Sequence, residues 1–167
     1  MPHSNLGLLL GDPSGIGPEL CAKLLEERSV GEPNRVILIG EPSLFENGKK
    51  VAGVDLEAPV VEHIREIPEG RIGMLQGPEL QMDVVSVGEA SETCGRYALD
   101  SFRRASALCK SGELDGFCFA PMNKKSLHLG GNTHEDDLRF VAEELDHQGY
   151  CCELNTTKNL WTTRVTS

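Results

Sequence analysis

The stretch Leu6-Gly7-Leu8-Leu9-Leu10-Gly11-Asp12-Pro13-Ser14-Gly15-Ile16-Gly17-Pro18-Glu19 decides the fold. An apolar run from Leu6 to Leu10 reads as a buried strand. It feeds a loop holding three glycines and two prolines, which opens a helix over Pro18–Glu27. Proline in the first turn and an acidic residue behind it suit a helix N-terminus. Leu20, Leu24 and Leu25 supply that helix with an inward face. Strand-to-helix turns of this kind, at the carboxyl ends of parallel strands, are where α/β enzymes keep their sites.

The pattern repeats outward. Arg35–Ile39 is a Val/Ile/Leu run that reads as a second buried strand, and Pro42–Val51 as a short helix. Pro59–Ile67 and Arg71–Leu75 are weaker strand candidates. Ser91–Lys110 is the clearest helix. Cys94, Ala98, Phe102, Ala105 and Cys109 recur at steps of four, four, three and four, Ser91 can cap the start, and Gly112 lies beyond the end. Gly116–Ala120 reads as a core strand ending at Pro121. Glu135–Leu145 reads as a helix with Leu138, Val141, Ala142 and Leu145 on one face, and Tyr150–Leu154 and Leu160–Val165 as closing strands. Strands alternating with helices across short loops imply an α/β fold in α/β/α layers with a mostly parallel sheet. The last of these strands has no helix after it, so the chain is expected to be truncated within a second domain. Residues 1–120 would form the first α/β/α domain, lacking its C-terminal return, and 121–167 the beginning of a second, cleft-forming one.

Bulk composition narrows the function. The chain has 167 residues and a formal charge of −10, from 16 Lys and Arg against 26 Asp and Glu. That length can bury a sizeable core. The acidic balance disfavours nucleic acid and anionic membranes, which reward clustered cations. The six cysteines, at 21, 94, 109, 118, 151 and 152, form no C-x-x-C pair and no zinc spacing. They read as mostly buried thiols of a reducing compartment, with Cys151-Cys152 in a core strand. Met1-Pro2-His3-Ser4-Asn5 has no basic region and only a short apolar run behind it, so neither a signal peptide nor a membrane span is expected and a cytoplasmic location follows.

Three segments carry possible chemistry. The glycines at 11, 15 and 17 match neither the G-x-G-x-x-G dinucleotide fingerprint nor a P-loop. The turn either passes its backbone close to a ligand with Asp12 facing the cleft, or is a tight turn in which Asp12 bonds the local backbone. In Ala120-Pro121-Met122-Asn123-Lys124-Lys125, Lys124 could bind a phosphate or carboxylate as a point charge, while Asn123 could simply cap a helix and Lys125 face solvent. In Gly130-Gly131-Asn132-Thr133-His134-Glu135-Asp136-Asp137, the carboxylates suit a first helical turn. A histidine beside them could also hold a substrate hydroxyl or take its proton. His3, His63, His128 and His147 show no partner pattern.

Together these segments resemble the 4-hydroxythreonine-4-phosphate dehydrogenase family of pyridoxal phosphate biosynthesis. Gly11 to Glu19 resembles its N-terminal signature, and Ser91, Gly95, Ala98, Leu99 and Ala105 its long helix. Asp115 to Lys124 resembles its strand and Pro-x-x-Lys element, and Leu138 to Glu144 the helix after its substrate loop. The resemblance spans the chain but only about the first half of a typical member. It implies an isocitrate/isopropylmalate dehydrogenase-like fold with two domains around a cleft, and a homodimer. It implies oxidation and decarboxylation of a phosphorylated hydroxy acid with NAD or NADP. It also implies a divalent metal ion (Zn, Mg, Mn or Co) acting as a Lewis acid, held by three histidines beyond residue 167.

The substrate loop departs from the family's Gly-His-Thr-Glu. Anchored on histidine, His134 and Glu135 take the two substrate-contacting positions. Counted without gaps, Asp137 and Leu138 take them. An added carboxylate would repel an anionic substrate unless a metal or Lys124 offsets it, which keeps a related four-carbon sugar-acid phosphate open as substrate. The expected substrate-binding residues are therefore Asp12, Lys124, His134, Glu135 and Asp137. A phosphate acyltransferase of similar fold, and an inactive fragment or dimerisation partner, are the alternatives.

Overall fold

In the computed structural model, residues 3–27, 33–134 and 136–163 are described. β1 (Asn5–Leu9), β2 (Arg35–Gly40), β3 (Val60–Val61), β4 (Ile72–Gln76) and β5 (Gly116–Phe119) form one sheet in the order β3-β4-β2-β1-β5. Every pairing in it is parallel, with Leu8 opposite Leu38 on one side and Cys118 on the other.

Side-chain alternation splits the core in two. Leu8, Leu10, Val36, Leu38 and Met74 point to one face, under α1 (Gly17–Glu26) and α2 (Pro42–Ala52). Leu9, Ile37, Ile39 and Leu75 point to the other, under α3 (Glu92–Lys110), α4 (Lys124–Leu129) and α5 (Asp137–Glu144). Sheet residues buried on both faces are what near-continuous apolar strands encode. The α/β/α layers expected from the sequence are present.

Local chemistry sets the helix ends. The Ser91 hydroxyl accepts a bond from the Cys94 amide at 3.2 Å, capping α3 as its position implied. α3 and α4 touch backbone to backbone: a Cβ on Gly95 would lie 1.6 Å from the Ser126 carbonyl oxygen. Only glycine permits that crossing, and it fixes where α4, with Lys124 as its first residue, sits over the sheet.

Several elements differ from expectation. In α1 the buried side chains are Pro18, Cys21, Ala22 and Leu25, while Leu20 and Leu24 face outward. Pro59–Ile67 contributes only the two-residue β3, followed by a 3₁₀ turn at Ile64–Glu66. β5 is an edge strand among the described residues, and Cys118 and Phe119 are exposed rather than core. α5 is rotated so that Phe140 alone is buried, packed against Phe102 with ring centroids 6.0 Å apart. Its apolar stripe of Leu138, Val141 and Leu145 lines a shallow groove beside Phe117 and Phe119 instead. The closing strands are shorter, β6 (Leu154–Thr156) and β7 (Trp161–Thr163), and pair antiparallel as a separate hairpin. Residues 164 and 165 of the second expected strand lie outside the described residues. Cys151 and Cys152 precede β6 and are only half-buried. Of the six free thiols just Cys21 and Cys94 are buried. Residue 120 separates β5 from α4, whose Leu127 shares one core cluster with Leu9 and Phe102.

Candidate functional site

β1 and β5 are neighbours, yet the chain leaves them in opposite directions. The loop after β1 runs to α1 on one face, and the loop after β5 runs to α4 on the other. A parallel sheet opens a crevice at the carboxyl end of such a pair, and ligands of open α/β sheets bind there.

The glycine turn forms the β1 side. Gly11 has φ +82°, and a Cβ there would fall 2.7 Å from the Pro121 carbonyl oxygen. Asp12 donates its amide to that same carbonyl at 3.0 Å. The Asp12 side chain is 2% exposed. Its Oδ1 accepts the Ser14 amide at 2.8 Å and the Ser14 hydroxyl at 2.7 Å, while Oδ2 is buried with no hydrogen-bond partner among the described residues. Through Oδ1 the carboxylate closes a local turn. Gly88 donates its amide to the Ser14 carbonyl at 2.7 Å, which lays the loop before α3 over the turn.

The β5 side holds the crevice itself. Phe119, Met122, Lys124, Leu127, His128, Asn132, His134, Asp136 and Asp137 line a space of about 110 Å³. Asn123 caps α4, its Oδ1 accepting the Lys125 and Ser126 amides at 3.0 and 3.2 Å. That cap places Lys124 at the mouth. Asp136 caps α5 through the Arg139 amide at 2.9 Å, which leaves Asp137 in the helix's first turn. The fold thus gathers Lys124, His134 and Asp137. Asp12 is not among the lining residues, and Glu135 lies outside the described residues.

His128, Asn132 and Asp136 border the crevice without having been singled out for it. Asn132 is 93% buried, and its Oδ1 accepts the His134 amide at 3.0 Å. Its place between two glycines and a histidine was the one sequence signal available. Glu143, bonded to His134 Nε2 at 2.5 Å, had no such signal. A loop residue folding back along a helix leaves no periodicity.

Size and charge limit what this crevice can hold. Pockets that enclose a whole cofactor or drug-sized ligand run to roughly 300–1,000 Å³, so about 110 Å³ suits one anionic group of a larger molecule. A unit charge 4 Å from Lys124 would gain about 4 kcal/mol at an effective dielectric of 20. Asp136 and Asp137 oppose that attraction. Among the described residues no group of three or more His, Cys, Asp or Glu side chains is placed to hold a metal ion. These residues alone do not fit one. Among them, too, no helix is long and apolar enough to cross a membrane.

A doubly wound parallel sheet with a small crevice beyond the carboxyl end of β5 defines an α/β chain of the layered kind. Comparison with known proteins gives the family. A family profile described as pyridoxal phosphate biosynthetic protein PdxA matches residues 32–167, and the chain belongs to that family. It is 38% identical, over 97% of its length and 49% of the relative's, to a Pseudomonas aeruginosa protein provisionally named 4-hydroxythreonine-4-phosphate dehydrogenase 2. It is 27% identical, over 92% of its length and 47% of the relative's, to an Oceanobacillus iheyensis protein provisionally named D-threonate 4-phosphate dehydrogenase. The crystal structure of a 4-hydroxythreonine-4-phosphate dehydrogenase from Burkholderia phymatum superposes with a TM-score of 0.86 at 26% identity, covering 99% of this chain and 50% of that one. The fold is therefore the isocitrate/isopropylmalate dehydrogenase-like one expected from the resemblance. The chain spans about half the length of the relatives it matches. The profile covers Lys124, His134 and Asp137 but begins after the glycine turn, which the pairwise relatives cover.

Proposed function

We propose that this chain supplies one wall of the active site of a dehydrogenase that oxidises, and decarboxylates, a phosphorylated hydroxy acid. The observation carrying this is the crevice beyond the carboxyl end of β5, lined by Lys124 and His134, in a chain whose relatives bear dehydrogenase names. Lys124 holds the substrate's phosphate or carboxylate as a point charge. His134 contacts the same group or a neighbouring hydroxyl. Asp137 stands beside them and, with Glu135 next to His134 in the sequence, selects against a second anionic group. Asp12 acts through shape, holding the β1 loop against Pro121.

NAD or NADP is the hydride acceptor in this proposal, and a divalent metal ion would polarise the hydroxyl and the developing ketone. The metal's ligands would come from outside residues 1–167, and a homodimer would complete the assembly. The two names among the relatives support a four-carbon acid phosphate, with or without an amino group, as the substrate class. A protein of the relatives' full length carrying this chain should form NADH from phosphorylated hydroxythreonine, threonate or erythronate in the presence of a divalent metal ion. No turnover with any of the three would contradict the proposal.

A further inference from the structure

His134 is held on several sides by its own half of the fold. Its amide donates to Asn132 Oδ1 at 3.0 Å. Its ring meets the Phe140 ring edge to face, with centroids 6.2 Å apart. Phe140 is in turn pinned by Phe102 beneath it and by the Arg103 guanidinium, 5.3 Å from its centroid. Arg103 also bonds Glu144 at 3.2 Å, which ties α5 to α3. Onto this scaffold Glu143 adds one directional contact, from Oε2 to His134 Nε2.

An ionised carboxylate only accepts hydrogen bonds, so with Glu143 ionised the contact takes the proton on Nε2. Glu143 lines a second hollow, with Arg103, Lys110 and Asp146, and does not line the crevice that holds Lys124. His134 lines both. With Nε2 engaged on the Glu143 side, Nδ1 is the ring nitrogen left for the Lys124 side, and it has no partner among the described residues.

We infer that Glu143 is a positioning residue for His134: it fixes the Nε2–H form and ring orientation, so that Nδ1 is presented to the ligand beside Lys124. The inference rests on the Lys124 crevice being the anion subsite proposed above. An isolated exposed ion pair contributes little. Here Asn132 and Phe140 already order the ring, and the carboxylate selects which nitrogen faces which way. The same logic governs metal-bound histidines, where a carboxylate on the second nitrogen sets tautomer and orientation. Neutral His134 would then offer Nδ1 as an acceptor to a hydroxyl, and protonated His134 would offer Nδ1–H to a phosphate oxygen.

Side-chain proton–nitrogen NMR of the chain tests this without any substrate. In the wild type, His134 should show a single Nε2–H form whose ring proton is protected from solvent exchange. Glu143→Ala should lose the protected proton and populate both tautomers, while Glu144→Ala, which cuts only the Arg103 bond, should keep the wild-type pattern. Inorganic phosphate, titrated in the same samples, should move the Nδ1 resonance. Its apparent Kd should weaken roughly threefold to tenfold in Glu143→Ala, the range for releasing one ordered side chain. An unchanged His134 spectrum in Glu143→Ala would overturn the positioning role. A fixed Nε2–H form with no phosphate response would support positioning and contradict the anion-subsite proposal, so the two failures are distinguishable.

Discussion

The Asp12 amide donates to the Pro121 carbonyl across 3.0 Å, joining the loop that leaves β1 to the loop that leaves β5. Those loops turn to opposite faces of the sheet. This bond holds the β1 loop against the segment that leads into the crevice, and it forms because Gly11, at φ +82°, lets the backbone pass against Pro121.

Replacing Gly11 with alanine therefore strikes the junction itself. Left-handed backbone costs an alanine about 1–2 kcal/mol, and overpacking against the Pro121 carbonyl adds about 1–3 kcal/mol. Urea denaturation of Gly11→Ala should show a loss of about 2–5 kcal/mol. Gly15→Ala, whose Cβ would meet only an ordinary contact at 3.4 Å, should stay within about 1 kcal/mol of wild type.

Gly95 governs the site from a distance. An alanine there must push α4 off α3, because its Cβ would sit 1.6 Å from the Ser126 carbonyl oxygen. Gly95→Ala should cost about 3 kcal/mol and should also weaken phosphate binding, since Lys124 begins the displaced helix. Stability loss with unchanged phosphate affinity, measured by calorimetry, would separate α4's position from the site.

Alkaline stability should depend on Tyr97. Burial pushes its phenol up to about 12, and its hydroxyl accepts the Glu41 amide at 2.9 Å. The folded protein keeps the phenol neutral where the unfolded chain, with an ordinary pKa near 10, ionises it. The associated stability is complete below pH 10 and is lost as pH rises toward 12, by about 3 kcal/mol in total. Burial also pushes the Cys21 thiol up to about 12, adding a loss of the same sign from pH 9 upward. Tyr97→Phe should be less stable at neutral pH by about 1 kcal/mol and should show a shallower fall between pH 10 and 12. Parallel pH curves for the two proteins would contradict the assignment.

The sheet was legible because each buried strand is a short apolar run closed by glycine or proline, as at Leu6–Leu10 and Arg35–Gly40. The α3 cap and the Asn123 cap were legible for a similar reason, since both are local chemistry. What the residues concealed depends on neighbours. Gly116–Phe119 is apolar enough for a core, but among the described residues it pairs with β1 alone and lies at an edge. α5 carries two candidate apolar faces, and the Phe102 ring, more than thirty residues away, decides that Phe140 goes inward. Asp12 suited both ligand and turn in the sequence, and only the structure shows its Oδ1 bonded to Ser14 within the turn. Lys124 and His134 stand ten residues apart in sequence, and they share a crevice only because α4 packs against Gly95.

The role given to Lys124 is the centre of the account, and steady-state kinetics of Lys124→Ala in a protein of the relatives' full length tests it most directly. Losing a charged contact to the substrate's anionic group is worth about 1.5–3 kcal/mol. The account predicts that kcat/KM for NADH formation from the phosphorylated hydroxy acid falls by about 10- to 100-fold, with folding stability unchanged because Lys124 is exposed. A kcat/KM equal to that of the wild type would contradict it.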